Sequence, residues 1–248
     1  MILRSLMRHV RDQNWFAVAL EFVIVIVSVV IAFQVTAWDA ARGERELEKR
    51  YISRLAESVL TDIAEFRDAE SLAAERGEQA RRILAAVGGD EQALADPDAF
   101  LRSIITAGYT YTPNVDRVAF DEMISRGHIG IIRNEPVRSQ IAAYYQRLET
   151  YSQWDYMRAH VQTRYMTLRA GVLTPAQERL WSGTSAPGKF SADEARRAAE
   201  LIAARPELIG WLPTVETWQQ FNEDTFHKAA VRAEDLLDAL RTERERLQ

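Results

Sequence analysis

The stretch from Trp15 to Trp38 reads WFAVALEFVIVIVSVVIAFQVTAW. Its reading decides the fold, because it divides a chain of 248 residues into an anchor and a domain. The apolar run holds about 20 residues, enough to cross a hydrocarbon core at ~1.5 Å per residue. Trp15 and Trp38 bracket it, where an amphipathic ring favours the headgroup region. Val and Ile cover every face of the run, which argues against the core helix of a soluble protein. One residue breaks the pattern: Glu21 puts a carboxylate where lipid should be.

The flanks set an orientation. Arg4, Arg8 and Arg11 precede the run, with only Asp12 against them, and a basic flank tends to stay in the cytoplasm. The expected organisation is a basic cytoplasmic tail over 1–14, a transmembrane helix over 15–38 and an extracytoplasmic helical domain over 39–248. The rival is a cleaved signal peptide, with Val35-Thr36-Ala37 as the small-residue site, which would leave a secreted soluble bundle. The run is longer than the usual signal core, and Glu21 interrupts it; both favour the anchor.

On a helix with ~100° per residue, Ala17, Ser28, Ala32 and Thr36 fall within about 60° of Glu21. One stripe therefore carries the only acid of the run and most of its small residues. Small residues let helices approach closely in lipid, and polar side chains bond across the contact. The stripe is a candidate face for association, with itself or with a protein partner. The competing reading is an acid that is protonated or that reaches the near headgroups without a partner. A proton relay would need further acids in the membrane, and the run has none.

Composition narrows the rest. Net charge is −5 with acids and bases interspersed, which argues against nucleic acid as a partner. The chain has no Cys, which excludes disulfides, thiolate metal sites and a Cys nucleophile. It is 47% hydrophobic and 27% charged, an ordinary globular balance with enough apolar residues for a core.

Beyond the span the pattern is helical. Leu47, Tyr51, Leu55, Val59, Ile63 and Phe66 recur at three- and four-residue spacing, predicting a helix from Glu44 to Val87. The helix can continue from the span, with Gly43 as a weak joint, and Gly88-Gly89 end it. Asp96-Pro97, Thr112-Pro113 and Thr174-Pro175 each place a cap before a first-turn proline. Gln177 completes a capping box with Thr174, and Glu194 completes one with Ser191. Gly127 is placed to stop the helix that Pro113 would start. A long helix is expected from Glu135 to Arg169, and another from Thr214 almost to the C-terminus. Residues 171–189 are the loosest part. The fold class expected is all-α: one N-terminal transmembrane helix, then an antiparallel helical bundle with three long helices.

No sequence motif for chemistry stands out. His9, His128, His160 and His227 form no zinc spacing, and there is no nucleophile elbow, Walker loop or dinucleotide fingerprint. No cofactor or metal is expected. Adjacent acids such as Asp121-Glu122 and Glu223-Asp224 point ~100° apart on a helix and read as solvated faces. Arg126, Arg133 and Arg138 around the Gly127 turn could hold an anion, but ion pairs with nearby acids are the plainer reading. Tyr144, Tyr151, Trp154 and Tyr165 could line a ligand cavity; core packing with hydroxyls at the bundle edge is the commoner use of such residues.

Two stretches carry a resemblance. The span acid Glu21, the exit AFQVTAW (Ala32 to Trp38), and FDEMISRGHIGIIRNEPVRSQIAAYYQRLE further on are similar to a family of uncharacterised bacterial single-pass membrane proteins. Phe120, Ile124, Gly127, Ile132, Asn134, Arg138, Tyr144 and Tyr145 fit the second motif. Leu20 precedes the acid where the family has Gly, and Thr36-Ala37 replace an Asn pair. The likeness covers the anchor and the centre of the chain, not its C-terminal third. It implies a retained span in the bacterial inner membrane with a periplasmic domain, and it implies no activity. The functional expectation is a membrane-anchored helical interaction protein: a scaffold, an accessory subunit or a sensor-like module. The alternative is an enzyme whose site lies in the helical bundle.

Overall fold

A computed structural model describes residues 15–179 and 190–248, without the side chains of residues 15–18 and 152. The basic tail expected over 1–14 and part of the loose region, residues 180–189, lie outside the described residues. Every regular element among the described residues is helical. The helices are α1 (Trp15–Val87), α2 (Pro97–Thr106), α3 (Val118–Ser125), α4 (Glu135–Tyr151), α5 (Asp155–Arg169), α6 (Pro175–Glu178), α7 (Ala192–Ala203) and α8 (Pro206–Leu247). Short 3-10 turns lie at Glu91–Leu94, His128–Ile131 and Ser152–Trp154.

The chain forms two compact units, Met1–Arg50 and Tyr51–Gln248. In the first, the N-terminal part of α1 is long and apolar enough to cross a membrane, and none of its apolar window is buried within the chain. α1 passes through Trp38 and Gly43 without a break, so the helix continues from the span.

In the second unit, α1 buries Tyr51, Leu55, Val59 and Phe66 as the spacing predicts, while Ile63 is half-buried and Asp62 is fully buried. Gly88 and Gly89 stop the helix. Gly89 adopts φ +94°, its N–H donates to the Ala86 carbonyl, and the Asp90 N–H reaches back to the Ala85 carbonyl. This left-handed ending satisfies the last carbonyls of α1. The expected caps are in place. Asp96 accepts the Ala99 N–H at 3.0 Å, and Thr174 and Ser191 each form a reciprocal box with Gln177 and Glu194. Gly127 sits at φ +69° just after α3.

The core lies where the end of α1, α2, α5, α7 and α8 meet. Ile83, Ile104, Tyr165, Ile202 and Leu212 are all within it. Each such side chain contributes about 1.5–3 kcal/mol by leaving water. Gly108 lets α5 approach: a Cβ there would stand 2.2 Å from Tyr165 Cδ1. Arg67 reaches Glu234 at 2.8 Å and Arg81 reaches Glu216 at 3.1 Å, linking α1 to α8.

Three boundaries differ from the sequence reading. Thr112-Pro113 starts no helix; α3 begins at Val118, whose N–H is taken by Asp116 Oδ1 at 3.0 Å. Upstream, the Asn114 and Asp116 N–H groups are drawn to acids on α1, so the segment forms no helix there. The helix expected over Glu135 to Arg169 is divided by the turn at Ser152–Trp154. Buried Arg158 donates to the Tyr151 carbonyl at 3.0 Å and pairs with Asp155, which satisfies a helix-end carbonyl at the break. The last helix begins at Pro206 and runs through Pro213. An interior proline removes one backbone bond and crowds the preceding turn. Leu208, Leu212 and Val215, buried on both sides of it, hold the helix together by packing.

Candidate functional site

The stripe in the span is exposed along its described length: Glu21, Ser28, Ala32 and Thr36 all face outward, and the Ala17 side chain lies outside the described residues. Ser28 Oγ donates to the Ile24 carbonyl at 2.7 Å, and Thr36 Oγ1 donates to the Ala32 carbonyl at 2.9 Å. Both hydroxyls are satisfied within their own helix. Glu21 is therefore the side chain of the stripe with most to gain from a donor on another helix.

The four aromatic residues offered as candidate cavity lining are dispersed. Tyr165 is buried in the core and donates to the Ile104 carbonyl at 2.7 Å. Tyr144 is buried outside that core cluster and donates to Asp62 Oδ2 at 2.7 Å. Tyr151 lines a cavity of about 180 Å³ with Phe66, Leu148, Arg158 and Phe226. Trp154 lines a separate, open groove of about 570 Å³ between α5 and α8. Met157 shares its wall, Trp218 and Phe221 face it, and Thr214 and Thr217 contribute hydroxyls. No residue lining this groove carries a charge. It suits a neutral, apolar occupant, since binding an ion there would desolvate the ion without repayment.

Arg126 and Arg138, near Gly127, are held by different partners. Arg126 pairs with Glu122 at 3.2 Å, and Arg138 donates to the Ile132 carbonyl at 2.9 Å. Of the corner residues, Ile132 is buried and Ile129 and Ile131 are half-buried. Asn134 gives its carbonyl to the Arg138 N–H and its Nδ2 to Glu243 at 2.6 Å, tying the start of α4 to the end of α8. The described histidines also have local neighbours. His128 Nδ1 lies 2.9 Å from the Tyr51 hydroxyl, His227 Nδ1 lies 2.8 Å from Glu70, and His160 packs between Tyr156 and Trp211. Among the described residues, no group of three His, Asp or Glu is placed to hold a metal ion.

A polar network that the sequence reading missed runs along α1. Arg54 pairs with Glu122 at 2.5 Å, and Ser58 donates to Asp116 Oδ2 at 2.7 Å. Asp62 accepts the Asp116 N–H at 2.8 Å and the Tyr144 hydroxyl. Glu65 accepts the Tyr111 hydroxyl at 2.8 Å and the Asn114 N–H at 3.0 Å. Burial pushes the Asp62 carboxyl up to about 6, against the two hydrogen bonds, which favour its ionised form. The Asn114 N–H and then the Tyr111 hydroxyl hold Glu65 below the usual carboxylate range. Burial raises Tyr144 above the ordinary phenol range. At each turn of α1 from Tyr51 to Glu65, a polar side chain thus meets the segment between Tyr111 and His128.

Compared with known proteins, the chain matches no family model, no curated protein and no solved structure.

Proposed function

We propose that this chain is a single-pass, membrane-anchored interaction protein of the bacterial inner membrane. Its N-terminus is cytoplasmic, its domain is periplasmic, and it associates through the span with itself or with a protein partner. One observation carries the reading. An apolar helix long enough to cross a bilayer is left unburied by the rest of the chain, with Glu21 as its one charged residue between the bracketing tryptophans. A carboxylate in that position costs a few kcal/mol against lipid, less towards the bilayer edge, and a donor on a neighbouring helix offsets that cost. The resemblance of the span to similar anchors supports its retention. The domain is read as an antiparallel helical bundle, because positions 67 and 81 of α1 meet positions 234 and 216 of α8 in reverse order. The neutral groove beside Trp154 supports the sensor-like form of the reading over a purely structural scaffold.

Glu21→Leu combined with Ser28→Leu tests the association. Cross-linking in membranes should lose the oligomer or partner band in the double variant. An unchanged cross-linking pattern removes association through this stripe. Topology is checked with single cysteines at Ser5 and Ser185, since the chain has none of its own. Labelling of position 185 alone from outside the inner membrane is expected; labelling of position 5 alone reverses the orientation. Detection of residues 1–37 on the mature protein excludes cleavage.

A further inference from the structure

Residues 110–117 form a segment without regular structure between α2 and α3, held against α1 by hydrogen bonds. Three acid side chains hold it or belong to it: Glu65 and Asp62 on α1, and Asp116 in the segment itself. Thr112, Pro113 and Val115 of the same segment form one wall of the 180 Å³ cavity that Phe66, Tyr151 and Phe226 line from the other side.

The attachment lacks a counter-ion at its centre. Asp62 is fully buried, and the charged groups that act on it are the Asp116 and Glu65 carboxylates. From α4 it meets the hydroxyl of Tyr144, with Tyr145 alongside. Arg54 pairs with Glu122, and Arg117 pairs with Asp121 and Glu149. The Tyr145 hydroxyl is buried without a hydrogen-bond partner. One group at this point therefore gains water if the segment lifts: the ionised Asp62, which the segment meets through the Asp116 N–H.

Protonation removes this pressure and keeps the backbone contact. A neutral Asp62 still accepts the Asp116 N–H on Oδ1; on Oδ2 the bond to Tyr144 reverses, the carboxyl O–H donating to the phenol oxygen while the Tyr144 proton turns away. We propose that residues 110–117 are a proton-controlled strap over this cavity, held down when Asp62 is protonated and loosened when it ionises. The strap is a two-state element biased by one proton, and its opening widens a cavity that is small when the strap is closed.

The sign follows from where the proton binds. The closed strap holds Asp62 at about 6, and an open, hydrated Asp62 returns to its ordinary 3.8. Opening therefore rises with pH, by about ten-fold between pH 5 and 7.5. Hydrogen exchange on the full chain in detergent micelles tests this, reading the amides of Asn114 and Asp116 after correction for intrinsic rates. The wild type should show the ten-fold rise, and Asp62→Asn should show none. Amides of the buried helical residues Ile83 and Leu236 should not follow the trend. A flat wild type, a rise of equal size in Asp62→Asn, or a parallel rise at Ile83 and Leu236 overturns the proposal. Should Asp62→Asn not fold, Glu65→Gln serves: removing a like charge moves the rise to lower pH, and an unmoved midpoint overturns the proposal. Cavity access is read separately with Leu148→Cys. The excess of its labelling by a small uncharged reagent over that in the Asp62→Asn background should grow about ten-fold between pH 5 and 7.5. Equal labelling in both backgrounds at pH 7.5 refutes the gating of the cavity.

Discussion

Replacing Gly108 by Ala tests the packing of the second unit at its tightest point. The added Cβ would stand 2.2 Å from Tyr165 Cδ1, 2.3 Å from Cγ and 2.7 Å from Cβ. Ordinary carbon contact is ~3.5–4.0 Å, so the ring must retreat by about 1.5 Å. It has little room to do so. Tyr165 is 1% exposed, and its hydroxyl is tied to the Ile104 carbonyl at 2.7 Å. Overpacking alone costs about 1–3 kcal/mol, and losing the hydroxyl bond adds about 1 kcal/mol. The expected loss for Gly108→Ala is therefore about 2–4 kcal/mol, read as a lower urea midpoint with an unchanged slope. Truncating the ring should relieve the clash. Tyr165→Leu is destabilising by itself, but in its background Gly108→Ala should cost at least about 1 kcal/mol less than in the wild type. A Gly108→Ala variant within about 0.5 kcal/mol of wild type would refute the contact, as would strict additivity with Tyr165→Leu.

Other variants probe separate links. Glu243, buried at the end of α8, accepts from Arg246 and Asn134, and these bonds hold its carboxyl below the usual range. The stability it contributes is present above the ordinary carboxylate range and is lost as pH falls through it. Glu243→Gln should cost about 1.5–3 kcal/mol at pH 7 and flatten the acid limb of a stability–pH curve. Ser191→Ala removes one side of the α7 capping box and should cost about 1 kcal/mol by urea titration. Pro213→Ala restores a backbone donor inside α8 and should raise stability, by at most about 3 kcal/mol. A fall in melting temperature for this variant would show that α8 depends on the proline.

The parts of this fold that were legible in the sequence are those decided over a few residues. The apolar run is uniform over about 20 residues, and nothing distant is needed to read it. The caps at Asp96, Thr174 and Ser191 join groups three residues apart, so their residue types suffice. The boundaries that the sequence misplaced answer to distant partners. Thr112 and Pro113 carry a valid cap pattern, but Glu65 and Asp62, some fifty residues earlier, claim the Asn114 and Asp116 N–H groups. Pro213 is a valid stop signal that packing on both sides overrides. The division of α4 from α5 depends on Arg158 reaching back to Tyr151, which apolar periodicity does not register.

Asp62 is the instructive miss, because its signal was present. Reading α1 as Leu55, Val59, Ile63, Phe66 follows the apolar letters. At ~100° per residue, however, position 62 lies about 20° from position 55 and about 40° from position 66, closer to the face of both than position 63 is. The buried row is Leu55, Val59, Asp62, Phe66, with Ile63 half-buried beside it. Angle, not residue type, identifies the buried position. A carboxylate found there without a cation at i±3 or i±4 must find donors on another segment or lose its charge. Glu21 was conspicuous because its neighbours are all apolar. Asp62 was hidden among the charged residues of an amphipathic helix, although both are acids on a face that excludes water or is expected to. The same question about donors applies to each. For Asp62 the answer lies within the chain, in Tyr144 and the Asp116 backbone; for Glu21 the proposed answer lies on a second helix in the bilayer.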